Sequence, residues 1–577
     1  MKLKNIILLS IVSFSIAAFG EVLSPDAAYR RVFSETKRGL KGAVETPALQ
    51  KVFYDEEGSP TLYLYPYSKE GGFMLVAADD AVCPLIGYSE TNRFATESQS
   101  AEMEWWLGNY STQIKIARER GGQRYMSTRA QNWAAVTPML TTTWNQSAPY
   151  NDQCPIIGGA RSVTGCVATA MAQVLNYWEY PSVGKGEITY RPTTLDYDLV
   201  MDLSATEFDW DNMLDSYTRG KYSTKEAKAV STLMKACGYS VNMTYDSGSS
   251  GAYSRDIRYA LQNNFGYDSG MTRKERSDYT NDEWNNLIYK DLVASGPIVY
   301  SGASASGAHC FVCDGYDGEG YFHINWGWGG LSDGYFLLNE LTPSNIGIGG
   351  HYDGYNIRQE AVVGITPPVG RLTLVGDLTI ENKAADSGNV KGWGYTYRLN
   401  DFSNIRLSLK ARVSGGLVNS PLFVTIYDTD LSTLKNGDIV FEGTFDQPVH
   451  ADQGVVECST ILTMKEYDPS KLYTLFVSYN LKGQKTPIGN LRFAASSGVE
   501  EVMAETEALE VVNEGNVLKV NREGLTEITL FDVQGREVRK GKAGSSEIDV
   551  AGLPSGVYFL HVLTREGENK NFKLLLK

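Results

Sequence analysis

Histidine is scarce in this chain: five in 577 residues, at positions 309, 323, 351, 450 and 561. Chemistry that needs an imidazole therefore has few places to occur. Cysteine is also sparse. Its seven copies, at 83, 154, 166, 237, 310, 313 and 458, lack the density of a disulfide scaffold, and the odd count leaves at least one thiol outside any intrachain pair. Basic residues are outnumbered, 53 Lys and Arg against 68 Asp and Glu, for a net charge of −15. That balance excludes a nucleic-acid partner, whose phosphates need a basic face. No apolar stretch reaches the roughly 20 residues that cross a bilayer. Internal repeats and low-complexity tracts are absent, which leaves ordinary globular units.

What is present divides the chain. At roughly 150 residues per domain, 577 residues imply three or four units. Lys2 and Lys4 precede an apolar run from Ile6 to Phe19, and Ala18-Phe19-Gly20 places small residues where a signal peptidase reads. Residues 1–20 therefore read as an export signal. Residues 21–129 form a leader. In it Thr61 to Tyr67 alternates and Gly72 to Ala78 is apolar, which predicts two strands, while Met103, Trp106, Ile114 and Ala117 have helical spacing within Gln99 to Arg120. Arg118, Arg120, Arg124 and Arg129, with Gly121-Gly122 and Ser127-Thr128, make a basic segment of the composition in which nicking concentrates, read here as a processing linker. Residues 130–367 mix helical patterns with Gly- and Tyr-rich strands and hold every chemically suggestive motif. Residues 368–498 alternate as strands, at Leu372 to Val375, Pro421 to Tyr427 and Lys471 to Tyr479, which predicts a β-sandwich. An acidic stretch, Glu500 to Glu510, belongs to a last unit, 499–577, with short strands at Ile528 to Val533, Val557 to Val562 and Phe572 to Leu576. The fold class is α+β, with all-β domains at the C-terminal end.

Thr164-Gly165-Cys166 opens a helical pattern. Val167, Ala170, Met171, Val174, Leu175 and Trp178 recur at helical spacing, so a buried helix begins at about Cys166. A thiol there meets unpaired amides and the positive end of the helix dipole, both of which favour the nucleophilic thiolate. A cysteine on an apolar helix is as readily a packing residue, so the position needs a partner. His309 supplies one. It follows Gly307-Ala308, whose small side chains leave room for a substrate backbone, and lies 143 residues after Cys166 (309 − 166), within the separation of papain-like pairs that meet only in the fold. An imidazole beside the thiol can take its proton and return one to the leaving amine. In His323-Ile324-Asn325-Trp326-Gly327-Trp328-Gly329-Gly330, a hairpin could bring Asn325 beside the imidazole. Its amide oxygen would fix the tautomer of His309, with Trp326 shielding that bond from water. Cys310 and Cys313 beside His309 raise zinc or redox chemistry. In a strand they point to opposite faces, however, and no second Cys-x-x-Cys completes four ligands, so they read as core residues and neither metal nor cofactor is expected.

Taken in order, these residues resemble the streptopain-like peptidases, family C10 of the papain-fold cysteine peptidases. The likeness runs from about Thr61 to Pro367. It rests on Gly72-Phe73 to Gly87-Tyr88-Ser89 in the leader, Trp144-Asn145-Gln146, Thr164 to Ala170, His309 to Gly315 and Asn325 to Gly334. It implies a papain-like catalytic domain over 130–367, with Cys166 as nucleophile, His309 as base, and Gln146 as the side-chain donor of an oxyanion hole completed by the Cys166 amide. Read alone, Gln146 is a loop residue. The resemblance puts Asn325 and Trp326 in the segment that supports the histidine, without deciding which makes the contact, and lines the substrate cleft with Trp328. It also implies mobile loops, Ser247 to Tyr253 and Gly347 to Tyr355, and an α+β inhibitory prodomain in 21–129. Cys310 and Cys313 depart from the family, whose members commonly carry other residues there. The last unit resembles the type A sorting domains of the type IX secretion system, on Ile528 to Arg536, Leu553 to Phe559 and Phe572 to Lys577. That likeness implies passage through the outer membrane by its secretion machinery, to the extracellular space or the bacterial surface. The expectation is a secreted cysteine endopeptidase, made as a zymogen and acting on proteins or peptides through a thioester acyl-enzyme. A transferase using an amine acceptor, and a binding protein whose sandwich works while the papain-like unit is inert, are the other readings.

Overall fold

The computed structural model describes residues 21–35, 47–96, 101–119, 133–303, 308–338, 359–376, 378–381, 390–391, 396–399, 402, 404–428, 439–464, 467–468, 471–495, 511–514, 517–520, 525–532, 537–542, 544–564 and 569–576. The export signal, Gly307, the loop 347–355, the acidic stretch 500–510, the linker residues 120–129 and the first residues after them, 130–132, lie outside them. Two compact units form, Met1–Pro368 and Val369–Lys577.

In the first unit, helix α1 (Pro25–Glu35) precedes strands β1 (Lys51–Tyr54), β2 (Pro60–Tyr65), β3 (Phe73–Ala77) and β4 (Leu85–Ser89), and helix α2 (Ala101–Glu119) follows them. β3 is apolar without alternation because both its faces are covered. Phe73, Leu75 and Ala77 share a core with Met103, Trp106, Leu107, Tyr110 and Ile114 of α2, while Met74 and Val76 pack with Ala28, Tyr29 and Val32 of α1. Arg118 belongs to the last turn of α2 rather than to the linker. Its guanidinium pairs with Asp79 at 2.9 Å and donates to the Pro60 carbonyl at 3.0 Å, a fixed geometry that ties the helix end to the sheet.

The leader and the unit after it share one ten-stranded antiparallel sheet. Its order is β1-β2-β3-β4, then Gly334–Phe336, Phe322–Asn325, Ala308–Tyr316, Ile298–Ala303, Glu360–Val363 and Thr272–Glu275. The seam is the pairing of Tyr88 with Tyr335 and of Gly87 with Phe336. A Cβ at Gly87 would lie 2.4 Å from the Phe336 ring, so the close approach of β4 requires glycine there. Against the sheet after the seam packs helix α3 (Cys166–Trp178), whose residues Val167 to Leu175 are all buried.

In the second unit two five-stranded sheets enclose a core that includes Leu407, Leu409, Val424, Leu475 and Phe493, a β-sandwich. The strands from Val511 to Leu576 form a three-stranded and a four-stranded sheet over Leu518, Ile528, Leu530, Leu560 and Val562.

Candidate active site

α3 brings Cys166, its first residue, to the wall of a cleft of about 440 Å³ that Gln146, His309 and Trp328 also line. No side chain caps the helix. Gly165 precedes it at φ 85°, a conformation that strains other residues, and a Cβ there would lie 2.8 Å from Met243 Sδ and 2.9 Å from the Ser250 carbonyl oxygen. Ser250 sits in the loop Ser247 to Tyr253, of which Gly248 to Ala252 line the cleft. Its hydroxyl donates to the Val163 carbonyl at 2.7 Å, tethering the loop to the segment that enters α3. Gln146 is held by its backbone. Its carbonyl accepts the N–H of Thr164 at 3.1 Å and its N–H donates to Oδ1 of Asn145 at 2.7 Å, which fixes it beside the cysteine loop.

His309 stands on the strand Ala308–Tyr316, buried, with Nε2 2.9 Å from the carbonyl oxygen of Trp326. Its ring stacks on Trp328 at 4.7 Å. Asn325 does not touch the imidazole with its side chain, and the register gives the reason. Asn325 pairs with Val312, so alternation puts its side chain on the face opposite His309, Phe311 and Trp326. There its Nδ2 donates to the Thr142 carbonyl at 2.8 Å, and its Oδ1 accepts from Gln173 at 3.1 Å and from the Gly327 N–H at 3.1 Å. That N–H and the Trp326 carbonyl belong to one peptide. Asn325 therefore orients the carbonyl, and the carbonyl meets the histidine.

Two buried residues given no role by the motifs hold this arrangement. Gln173 accepts at Oε1 from the Thr142 hydroxyl at 3.0 Å while donating to Asn325, so α3 grips both the Gln146 segment and the tryptophan turn. Its signal in the sequence is an amide side chain within the buried run Val167 to Leu175, where Thr169 is the one other polar residue. Asp333 accepts the Trp326 N–H at Oδ1, 2.8 Å away, and the Trp326 indole donates to the Ser332 carbonyl at 3.0 Å. Burial raises the Asp333 carboxyl to about 7, against the Trp326 N–H and His323, which favour its anion. His323 Nδ1 lies 2.6 Å from Asp314 Oδ1. Burial pushes that imidazole down, but Asp314 and then Asp333 outweigh it, so its pKa is raised. Cys310 and Cys313 are buried thiols, pushed far up by burial, and Cys310 also by Cys166 nearby.

The leader reaches the same residues. Trp106 of α2 packs edge-on to Trp326 with ring centres 5.1 Å apart, a pair that adds roughly 0.5–1.5 kcal/mol beyond its burial. Asn92 Nδ2 donates to the Asp333 carbonyl at 3.0 Å, and Ser332 donates its N–H to the Arg93 carbonyl at 2.8 Å.

A cysteine at a helix N-terminus and a histidine on an antiparallel sheet, lining one cleft with the leader still docked, define a papain-like thiol hydrolase in precursor form. Residues 144–336 match the model of the Peptidase C10 family, residues 30–114 that of the Spi protease inhibitor, and residues 513–577 that of a secretion system C-terminal sorting domain. Streptopain of Streptococcus pyogenes is 35% identical over 351 residues, 57% of this chain and 87% of its own. The thiol protease/hemagglutinin PrtT of Porphyromonas gingivalis is 31% identical over 363 residues, 59% of this chain and 41% of its own. A mutant prointerpain A fragment from Prevotella intermedia is 33% identical, with a TM-score of 0.48, over 55% of this chain and 99% of the fragment. The chain belongs to the C10 peptidase family. It is a cysteine peptidase with an inhibitor-type prodomain, and its sorting domain marks it for secretion, outside the cell or at its surface. Among the described residues no helix is long and apolar enough to cross a membrane.

Proposed function

We propose that this peptidase is an endopeptidase made as a zymogen, with Cys166 as nucleophile, His309 as general base and acid, and Gln146 as an oxyanion donor. The thiolate of Cys166 adds to a peptide carbonyl of a protein substrate. The C–N bond then breaks as His309 gives its proton to the leaving amine, and a thioester remains. Water, deprotonated by His309, hydrolyses it and regenerates the thiol. The Gln146 amide and the Cys166 N–H hold the oxyanion of each tetrahedral intermediate. Trp326 and Asn325 act through the peptide that contacts His309, and Trp328 and Gly307 serve the substrate backbone. The proposed boundaries are an export signal over 1–20, a prodomain with its linker over 21–129, the catalytic domain over 130–367, the sandwich over 368–498 and the sorting region over 499–577. Surface attachment after secretion is one fate open to the product.

The observation that carries this reading is that Cys166, His309 and Gln146, remote in sequence, line a single cleft. Its test is incubation of purified precursor, wild type and Cys166→Ala, with casein, followed by N-terminal sequencing of the fragments. The variant is expected to neither process itself nor cleave casein. Casein cleavage by Cys166→Ala at the wild-type rate would overturn the assignment.

A further inference from the structure

The Trp326 carbonyl faces His309 only if the backbone on both sides of Trp326 is held. On the C-terminal side the Gly327 N–H is fixed by Asn325 Oδ1 at 3.1 Å. On the N-terminal side the Trp326 N–H is fixed by Asp333 Oδ1 at 2.8 Å, and the indole is pinned by the Ser332 carbonyl at 3.0 Å. Both peptide units flanking the Trp326 Cα are thereby clamped, and the carbonyl between the clamps meets Nε2 of His309 at 2.9 Å. Asp333 is itself buried, as is Asp314, whose Oδ1 meets His323 and whose Oδ2 accepts the Leu140 N–H at 2.9 Å. Burial disfavours a carboxylate this deep, and the Trp326 N–H and His323 offset that only in part.

We infer that Asp333 is a positioning residue for the peptidase reaction: its carboxylate sets the Trp326 peptide, and through that peptide the orientation of His309. The inference rests on His309 being the base. It makes Asp333 act on turnover more than on substrate binding, because the cleft wall that takes substrate does not include it. The ionisable groups acting on Asp333 are His323 on the neighbouring strand and Asp314 on the histidine strand. With the carboxyl raised to about 7, its proton and the strength of its bond to the Trp326 N–H change near neutral pH.

The experiment compares full-length wild type, Asp333→Ala, Asp333→Asn and His309→Ala, each matured by limited trypsin cleavage that is then stopped with a serine-peptidase inhibitor. In Asp333→Ala, kcat on a peptide substrate is expected to fall about 10- to 100-fold with KM within about twofold. Asp333→Asn keeps an acceptor for the Trp326 N–H, so kcat should return to within about threefold of wild type, with a changed dependence between about pH 6 and pH 8. Wild-type kcat in Asp333→Ala, or a loss confined to KM, overturns the inference. If Asp333→Ala does not fold, Asp333→Asn decides alone, and a pH profile identical to wild type overturns it. Activity in His309→Ala would instead remove the base assignment, whereas an inactive His309→Ala beside a fully active Asp333→Ala removes only the role of Asp333.

Discussion

His309 meets the backbone of Trp326, Nε2 to carbonyl oxygen at 2.9 Å. The amide of Asn325 stands one step behind, bonded to the Gly327 N–H of the same peptide and, on its other edges, to Gln173 and Thr142. Asn325→Ala removes all three bonds from a buried site and leaves their partners unpaired, so it should destabilise the protein by about 2–4 kcal/mol as well as lower kcat. Asn325→Asp keeps the acceptor toward Gly327 and should retain more activity than Asn325→Ala. Calorimetric melting of both variants, with kcat beside it, checks this. An unchanged melting temperature in Asn325→Ala would remove its structural half.

The Cys166 helix and the leader strands were legible because each carries a local pattern. Val167 to Trp178 repeats at helical spacing, and the apolar run through Phe73 to Ala77 fits a strand covered on both faces. The seam between β4 and Gly334–Phe336 was not legible, because pairing between distant segments leaves no local pattern. The same holds for Asp333. Nothing around it distinguishes an aspartate in a glycine-rich turn from one that holds a tryptophan N–H, and only the strand register brings the two together. The contacts of Asn325 were not legible, since one residue of register decides which face a side chain takes.

The seam itself predicts how latency can be broken. Gly87 admits no Cβ against Phe336, so Gly87→Val should splay β4 from the strand Gly334–Phe336 and loosen Trp106 from Trp326. The precursor is then expected to process itself several-fold sooner, while the matured enzyme, which lacks the leader, keeps its wild-type kcat. Time courses of self-processing followed on gels check the first part and steady-state kinetics the second. Processing at the wild-type rate would separate sheet pairing from latency.

Stability should fall with rising pH across the same region. Asp333 has its carboxyl raised to about 7 from an ordinary value near 4, so between those limits the folded protein holds a proton that the unfolded chain has lost. Stability from this group is complete below about pH 4 and is lost as pH rises to about 7, at no more than about 1.4 kcal/mol per pH unit. His323, raised above its ordinary 6.5, adds a loss of the same sign that begins near that pH. Denaturant unfolding of the Cys166→Ala precursor from about pH 4 to pH 8 should show the decline, and Asp333→Asn on that background should flatten it. A parallel decline in both proteins would place the titrating group elsewhere.

Gln146 provides the sharpest separation of binding from chemistry. Its backbone is fixed by Thr164 and Asn145, neither of which depends on its side chain, so Gln146→Ala should fold as the wild type does. What the variant loses is a donor that an oxyanion hole uses in the transition state and not in the ground state. Removing one such donor lowers kcat about 100- to 1,000-fold, with little change in KM. Gln146→Glu should be no better, since a carboxylate facing the oxyanion repels it. Alkylation of Cys166 by iodoacetamide passes through no oxyanion, so its rate in Gln146→Ala should stay near wild type while peptide hydrolysis collapses. If both rates fell together, Gln146 would be supporting the thiol rather than the intermediate.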